Sequence, residues 1–202
     1  MDKLRTNNEK LSDSTLWNQL RSGDEEAFSL LFERYYSPLV NYGKTLMSES
    51  DIVKDCVQDV FVNIWSYRYK LNDAIAIRAY LLSCVRKRIA RYHEREHIFS
   101  KVKDVDSLDF LFDFSIEEQL IADETMAIKV QQLNRLINYL PTRQKEALYL
   151  RYHQGLSVEQ VAEVLNMNYQ STKNLLHRAI LQLRKDFPIS VLALFVEFSI
   201  NH

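Results

Sequence analysis

SVEQVAEVLNMNYQSTKNLLHRAILQLRK, residues 157–185, reads as two short helices joined by a tight turn. Val158, Val161, Ala162 and Leu165 recur at helical spacing and give the first helix one apolar face. Ser157 stands at the N-cap position, and Gln160 three residues on completes a capping box. Asn166 follows the last apolar residue. Asn tolerates the left-handed conformation better than other side chains, so Asn166 is expected to end the helix and turn the chain. In the second helix Thr172, Leu175, Leu176, Ala179, Ile180 and Leu183 share one side. Gln170, Lys173, Asn174, His177, Arg178, Arg184 and Lys185 occupy the other. Apolar residues seat such a helix on its neighbour, and amide and cationic donors on the outer side can face base edges and phosphates. The plain alternative is an amphipathic helix with a solvated basic face.

Composition sets the frame around this stretch. The 202 residues are 47% hydrophobic and 26% charged, ordinary for a globular chain. With 3 Gly, 3 Pro and little strand-like alternation, an all-α chain is expected. The net charge of −1 says nothing of nucleic acid, but its distribution does. Residues 78–95 carry +5, residues 97–125 carry −6, and residues 141–187 carry +3. Two basic modules flank an acidic connector. Cys56 and Cys84 sit among apolar residues and form no CxxC, so reduced thiols in a cytoplasmic protein are expected. Residues 1–14 lack a signal-peptide core, and residues 1–13 read as disordered. Residues 189–198 are apolar but too short to span a bilayer.

Helices are expected from Ser14, from the Asp24 cap, and over residues 51–67, 77–96, 115–139 and 142–152, with Pro38 bending or restarting the second. Residues 68–76 read as a loop with Asn72 and Asp73 as turn residues. Asp55, Gln58 and Asp59 lie at i, i+3 and i+4, so they share an exposed patch, read by itself as a solvated acidic face. The helix at 77–96 has a dense basic face with Tyr80 and Tyr92 interleaved, suited to phosphates and stacked bases or simply to solvent. His93 and His97 could face a metal together, but no third ligand is evident and no cofactor is expected.

Three stretches together resemble a known family. Residues 140–185 resemble region four of bacterial sigma-70 factors. Residues 51–65, DIVKDCVQDVFVNIW, resemble the region-two helix, and residues 77–96 the helix after it that contacts promoter DNA. Regions two and four joined by a short acidic linker resemble the extracytoplasmic function group of sigma factors. The implied organisation is region two at 14–96, a linker at 97–114, region four at 115–187 and an apolar extension at 188–202.

The resemblance also implies roles. Asp55, Gln58 and Asp59 match the patch that binds the clamp helices of the RNA polymerase largest subunit, and the flap of the second-largest subunit is the further polymerase contact. Lys70, Asn72 and Asp73 fall in the segment that captures a flipped base of the minus-ten element. Arg78, Arg86, Lys87, Arg88 and Arg91 lie on the helix that meets the minus-ten strand. Gln170, Ser171, Lys173, Asn174, His177 and Arg178 match the helix that enters the minus-thirty-five major groove, with Arg143 and Ser157 placed to hold phosphates. Leu175 stands where the family often has Arg. The implied protein is a promoter-specificity subunit without enzyme activity, with an anti-sigma factor, often membrane-bound, as regulator. The rival reading is a free-standing helix-turn-helix regulator.

Overall fold

The computed structural model describes residues 11–73, 76–96, 110 and 124–186. Among these the regular elements are all helical, and they fall into two compact units, Met1–Lys103 and Asp104–His202.

The first unit holds α1 (Asp13–Arg21), α2 (Glu25–Leu46), α3 (Ser50–Ser66), a 3₁₀ turn (Arg68–Lys70) and α4 (Ile77–Glu96). Helix α1 starts one residue before the expected Ser14. Ser12 caps it by accepting from the Thr15 amide, and the Asp13 carboxylate meets Arg34 and Tyr35 of α2. Residues 11–13 are therefore ordered; the rest of the expected disordered segment, residues 1–10, lies outside the described residues. Asp24 caps α2 through the Ala27 amide, as its position before the apolar run suggests.

Pro38 neither ends nor restarts α2, which runs unbroken for 22 residues. An internal proline costs a helix about 3 kcal/mol. Against that stands one buried stripe continuing through it: Leu31, Tyr35, Leu39, Tyr42 and Leu46. Each fully buried residue of this size returns roughly 1.5–3 kcal/mol, so tertiary burial overrides the local preference. On the upper part of the same helix, Phe28 and Phe32 meet Phe61 of α3 edge-on at 6.2 and 4.9 Å, and Phe28 reaches Trp65 at 5.1 Å.

Gly43 explains how closely α2 approaches its neighbours. A Cβ there would lie 2.5 Å from Val53 Cγ1 and 3.3 Å from Ile89 Cδ1. Gly43→Ala gains about 1 kcal/mol of helix propensity but overpacks a three-helix contact at a cost of about 1–3 kcal/mol or more. The net expected result is a lower thermal midpoint for this unit, read by circular dichroism; an unchanged or raised midpoint would show that α2 can shift away at no cost.

The second unit holds α5 (Glu124–Asn138), α6 (Thr142–Leu148), a π-helical turn (Tyr149–His153), α7 (Val158–Leu165) and α8 (Tyr169–Asp186). The expected helix start at Ser115 and the extension at 188–202 lie outside the described residues. Helix α8 packs on α5, α6 and α7. Leu133, Ile137, Leu148, Leu150, Val161, Val164, Leu176, Ala179 and Leu183 form the core. The expected helix over 142–152 changes character at Tyr149, where the backbone widens into the π turn before Gly155 takes a left-handed φ of 66°. Widened turns of this kind have no simple sequence pattern.

No helix among the described residues is long and apolar enough to cross a membrane.

Candidate protein and nucleic-acid interfaces

The α7–α8 pair is built as its sequence pattern suggests. Ser157 Oγ accepts from the Gln160 amide at 3.3 Å, and Gln160 Oε1 accepts from the Ser157 amide at 2.8 Å. Asn166 closes α7 in the left-handed region, φ 53° and ψ 47°. Asn168 then starts α8, its Oδ1 accepting from the Ser171 amide at 2.8 Å. Thr172, Leu175, Leu176, Ala179 and Leu183 are buried. Gln170, Lys173, Asn174, His177 and Arg178 are all exposed, and Gln170 Nε2 donates to Asn174 Oδ1 at 3.0 Å. Ser171 is half-buried. Two amides ordered side by side present both donors and acceptors outward, the requirement for reading base edges.

Three further residues border this surface. Leu175 is 8% exposed and belongs to the core, on the apolar side that its spacing predicts. The Ser157 hydroxyl is committed to the cap, where it also helps hold the exposed Glu159 carboxyl below its usual range, after that residue's own backbone amide. Arg143, on α6, is half-buried.

In the first unit, Asp55 and Gln58 are exposed on α3 with Val62 one turn further along the same face. Asp59 shares their face but is half-buried and ion-paired with Arg88 of α4. The pair joins two residues the sequence assigns to separate surfaces. The basic face of α4 is correspondingly narrower than its composition. Lys87, Arg91 and Arg95 are exposed at i, i+4 and i+8, and Arg78 is exposed at the helix start. Arg86 is 6% exposed and turned into the protein, so it offers no phosphate contact in this arrangement. The reason is geometric: Arg86 follows Val85 and falls with Leu82 and Ile89 on the side packed against α2 and α3. Tyr80 is half-buried, edge-on to Trp17 at 5.7 Å, with desolvation raising its hydroxyl pKa to about 12. Tyr92 is half-buried.

The loop between α3 and α4 is held from α1 by residues that sequence reading does not single out. Trp17 Nε1 donates to the Asn72 carbonyl at 2.8 Å, and Arg21 Nε donates to the Leu71 carbonyl at 2.8 Å. Asn72 and Asp73 are exposed, with Lys70 beside them. Just upstream, the Arg68 guanidinium lies 4.2 Å over Trp65 and 4.3 Å over Tyr69, and Lys70 Nζ lies 5.6 Å over Tyr67. Tyr69 is 71% exposed. Cations interleaved with exposed rings can hold an unpaired strand by stacking and charge together. The YRYK run at 67–70 carries this signal, although residues 68–70 by themselves read as the start of a loop. His97, the other half of the candidate metal pair, lies outside the described residues.

Comparison with known proteins agrees with this arrangement. Residues 31–97 match Sigma-70 region 2, and residues 130–183 match Sigma-70, region 4. The ECF RNA polymerase sigma factor SigX of Bacillus subtilis is 22% identical, with 82% of this chain and 86% of the relative covered. The ECF RNA polymerase sigma-E factor of Haemophilus influenzae is 26% identical, with 85% and 93% covered. The fold is similar to that of CnrH, solved in complex with the cytosolic domain of CnrY, at a TM-score of 0.55 and 19% identity over 86% of this chain and 95% of that one. It is also similar to the sigma factor RpoE of Bartonella quintana, at a TM-score of 0.53 and 22% identity over 78% and 94%. With both regions matched in order, over more than half its length, the chain belongs to the sigma-70 family and is an RNA polymerase sigma factor of the extracytoplasmic function group.

Proposed function

We propose that this sigma factor binds core RNA polymerase through the α3 face of Asp55, Gln58 and Asp59. The partner surfaces are the clamp helices of the largest subunit for the first unit and the flap of the second-largest for the second. Helix α4 meets the minus-ten strand through Arg78, Lys87, Arg88 and Arg91. Lys70, Asn72 and Asp73 hold a base taken out of the stack, where its full edge can be read. Helix α8 enters the minus-thirty-five major groove with Gln170, Ser171, Lys173, Asn174, His177 and Arg178. Arg143 and the Ser157 cap sit toward phosphates.

The single observation that carries the reading is the sorting of α8. Every outward side chain from Gln170 to Arg178 is polar or cationic, and the opposite side is fully packed. The protein carries no enzymatic activity of its own and acts in the cytoplasm; polymerase supplies the chemistry. An anti-sigma factor, free or membrane-bound, is the proposed regulator. Support comes from RpoE of Bartonella quintana, solved in complex with the anti-sigma factor NepR.

The test is reconstitution. Core polymerase with the purified protein is expected to start transcription at discrete promoters mapped by transcript 5′ ends, whereas the protein alone binds the same duplexes weakly. Tight sequence-specific duplex binding without polymerase, and no initiation with it, would favour the free-standing regulator instead.

A further inference from the structure

The outward residues of α8 fall into two rows, the members of each about one helical turn apart: Gln170, Asn174 and Arg178 in one, Lys173 and His177 in the other. The first row is tied together. Gln170 Nε2 donates to Asn174 Oδ1 at 3.0 Å, and Arg178 Nε donates to the Asn174 carbonyl at 3.4 Å. Asn168 fixes where the row begins, because its Oδ1 holds the Ser171 amide and so places Gln170 in the first turn. Thr172 is buried, its hydroxyl turned back to the Asn168 carbonyl at 3.1 Å, and offers nothing outward. The amide pair leaves a defined remainder. A side-chain amide has one oxygen and two N–H bonds. With one N–H given to Asn174, Gln170 keeps one donor and a whole acceptor oxygen for the outside.

We propose that Gln170 reads a single adenine of the minus-thirty-five element, and that Asn174 is the positioning residue that holds the Gln170 amide in the orientation adenine needs, which rests on the reading of α8 given above. In the major groove adenine alone sets an acceptor, N7, beside a donor, the N6 amino group. Guanine offers two acceptors, cytosine a donor, and thymine an acceptor with a methyl group. The remainder on Gln170 fits adenine: Oε1 accepts from N6 and Nε2 donates to N7. An untethered glutamine can turn its amide over and present oxygen and nitrogen in either order. Asn174 Oδ1 is an acceptor, so it selects the order with nitrogen toward it. Ordering the long side chain before contact also lowers what binding must spend on it. Recognition helices meet base edges through their N-terminal residues, and Gln170 is the second residue of α8. Lys173 and His177, one row over, supply charge toward phosphates.

The test uses holoenzyme, core polymerase with the full chain, on a promoter mapped by transcript 5′ ends and then randomised through its minus-thirty-five element. The parent is expected to favour adenine at one position by about tenfold, the worth of one good bidentate contact. Gln170→Ala is expected to abolish that preference. Gln170→Glu exchanges the donor for a second acceptor and is expected to turn the same position toward cytosine, whose N4 amino group suits a carboxylate. Two changes at Asn174 separate positioning from general affinity. Asn174→Asp keeps an acceptor for Gln170 Nε2 but brings a negative charge to the DNA, so initiation should fall on every template while the adenine preference stays. Asn174→Ala frees the amide, and the preference should shrink to about threefold or less. In the parent, 7-deazaadenine at that position, which lacks the N7 acceptor, should cost as much as Gln170→Ala, and in the Gln170→Ala protein nothing further. An amide pair that only stabilised the helix would move none of these preferences. Adenine preference untouched by Gln170→Ala, preference for another base at the position Gln170 governs, or equal loss in Asn174→Asp and Asn174→Ala overturns the proposal while leaving the minus-thirty-five reading intact. A parent with no base preference anywhere in this element overturns both.

Discussion

Replacing Asp55 and Gln58 together with arginine is expected to abolish binding to core polymerase, a loss of at least about 100-fold in a pull-down or competition assay. Interface residues at the centre of a patch cost about 2 kcal/mol or more each when truncated, and reversed charge adds repulsion to that loss. Both side chains are exposed on α3, so the double variant should melt within about 2 °C of the parent. Asp59 is a poorer probe of the same surface. Its carboxylate neutralises Arg88 from the neighbouring helix, and Asp59→Arg would set two guanidinium groups against each other inside the unit. Retained binding by the Asp55→Arg, Gln58→Arg protein would move the polymerase contact off this face.

Trp17→Ala carries the largest expected cost to stability. The indole is 1% exposed, and truncating a buried tryptophan costs about 3–5 kcal/mol. Whole domains are stable by only about 5–15 kcal/mol, so the first unit should lose much of its cooperative transition in urea. The ring also packs edge-on to Tyr80, and its Nε1 holds the Asn72 carbonyl. Trp17→Phe keeps most of the packing and frees that carbonyl. It is expected to cost far less stability yet weaken capture of a single-stranded minus-ten oligonucleotide by the holoenzyme. Equal melting of Trp17→Ala and the parent would remove the indole from the core; equal capture by Trp17→Phe and the parent would show that the loop needs no tie to α1.

The parts legible in the sequence are those governed by local chemistry. The Ser157–Gln160 box, the left-handed Asn166 and the apolar side of α8 each depend on residues within a few positions. The two regions and their order are read with equal directness. What is not legible depends on contacts between distant residues. Arg86 shares helical spacing with Leu82 and Ile89, but its charge outweighs that signal until the two helices packed on that side are placed. Asp59 and Arg88 are 29 positions apart, and Trp17 and Asn72 are 55 apart. The unbroken passage of α2 through Pro38 likewise depends on burial along the whole helix. Phe110 lies between the two cases: an aromatic residue in an acidic run is out of place in solvent and expected to dock, but that Tyr149 covers it depends on a residue 39 positions away.

The packing of α3 also governs how this protein responds to oxidants and alkylating agents. The chain has 2 cysteines, Cys56 and Cys84, and both belong to the first unit. Cys56 lies beneath the Asp55–Asp59 face, and burial pushes its thiol pKa above the usual value, an effect that nearby Arg88 only partly opposes. A protonated, covered thiol is a poor nucleophile, so folded protein should react slowly at Cys56 with oxidants and alkylating reagents alike. The residue becomes available when α3 separates from its neighbours. Its chemistry therefore reports the opening of the first unit and is silent to events in the second.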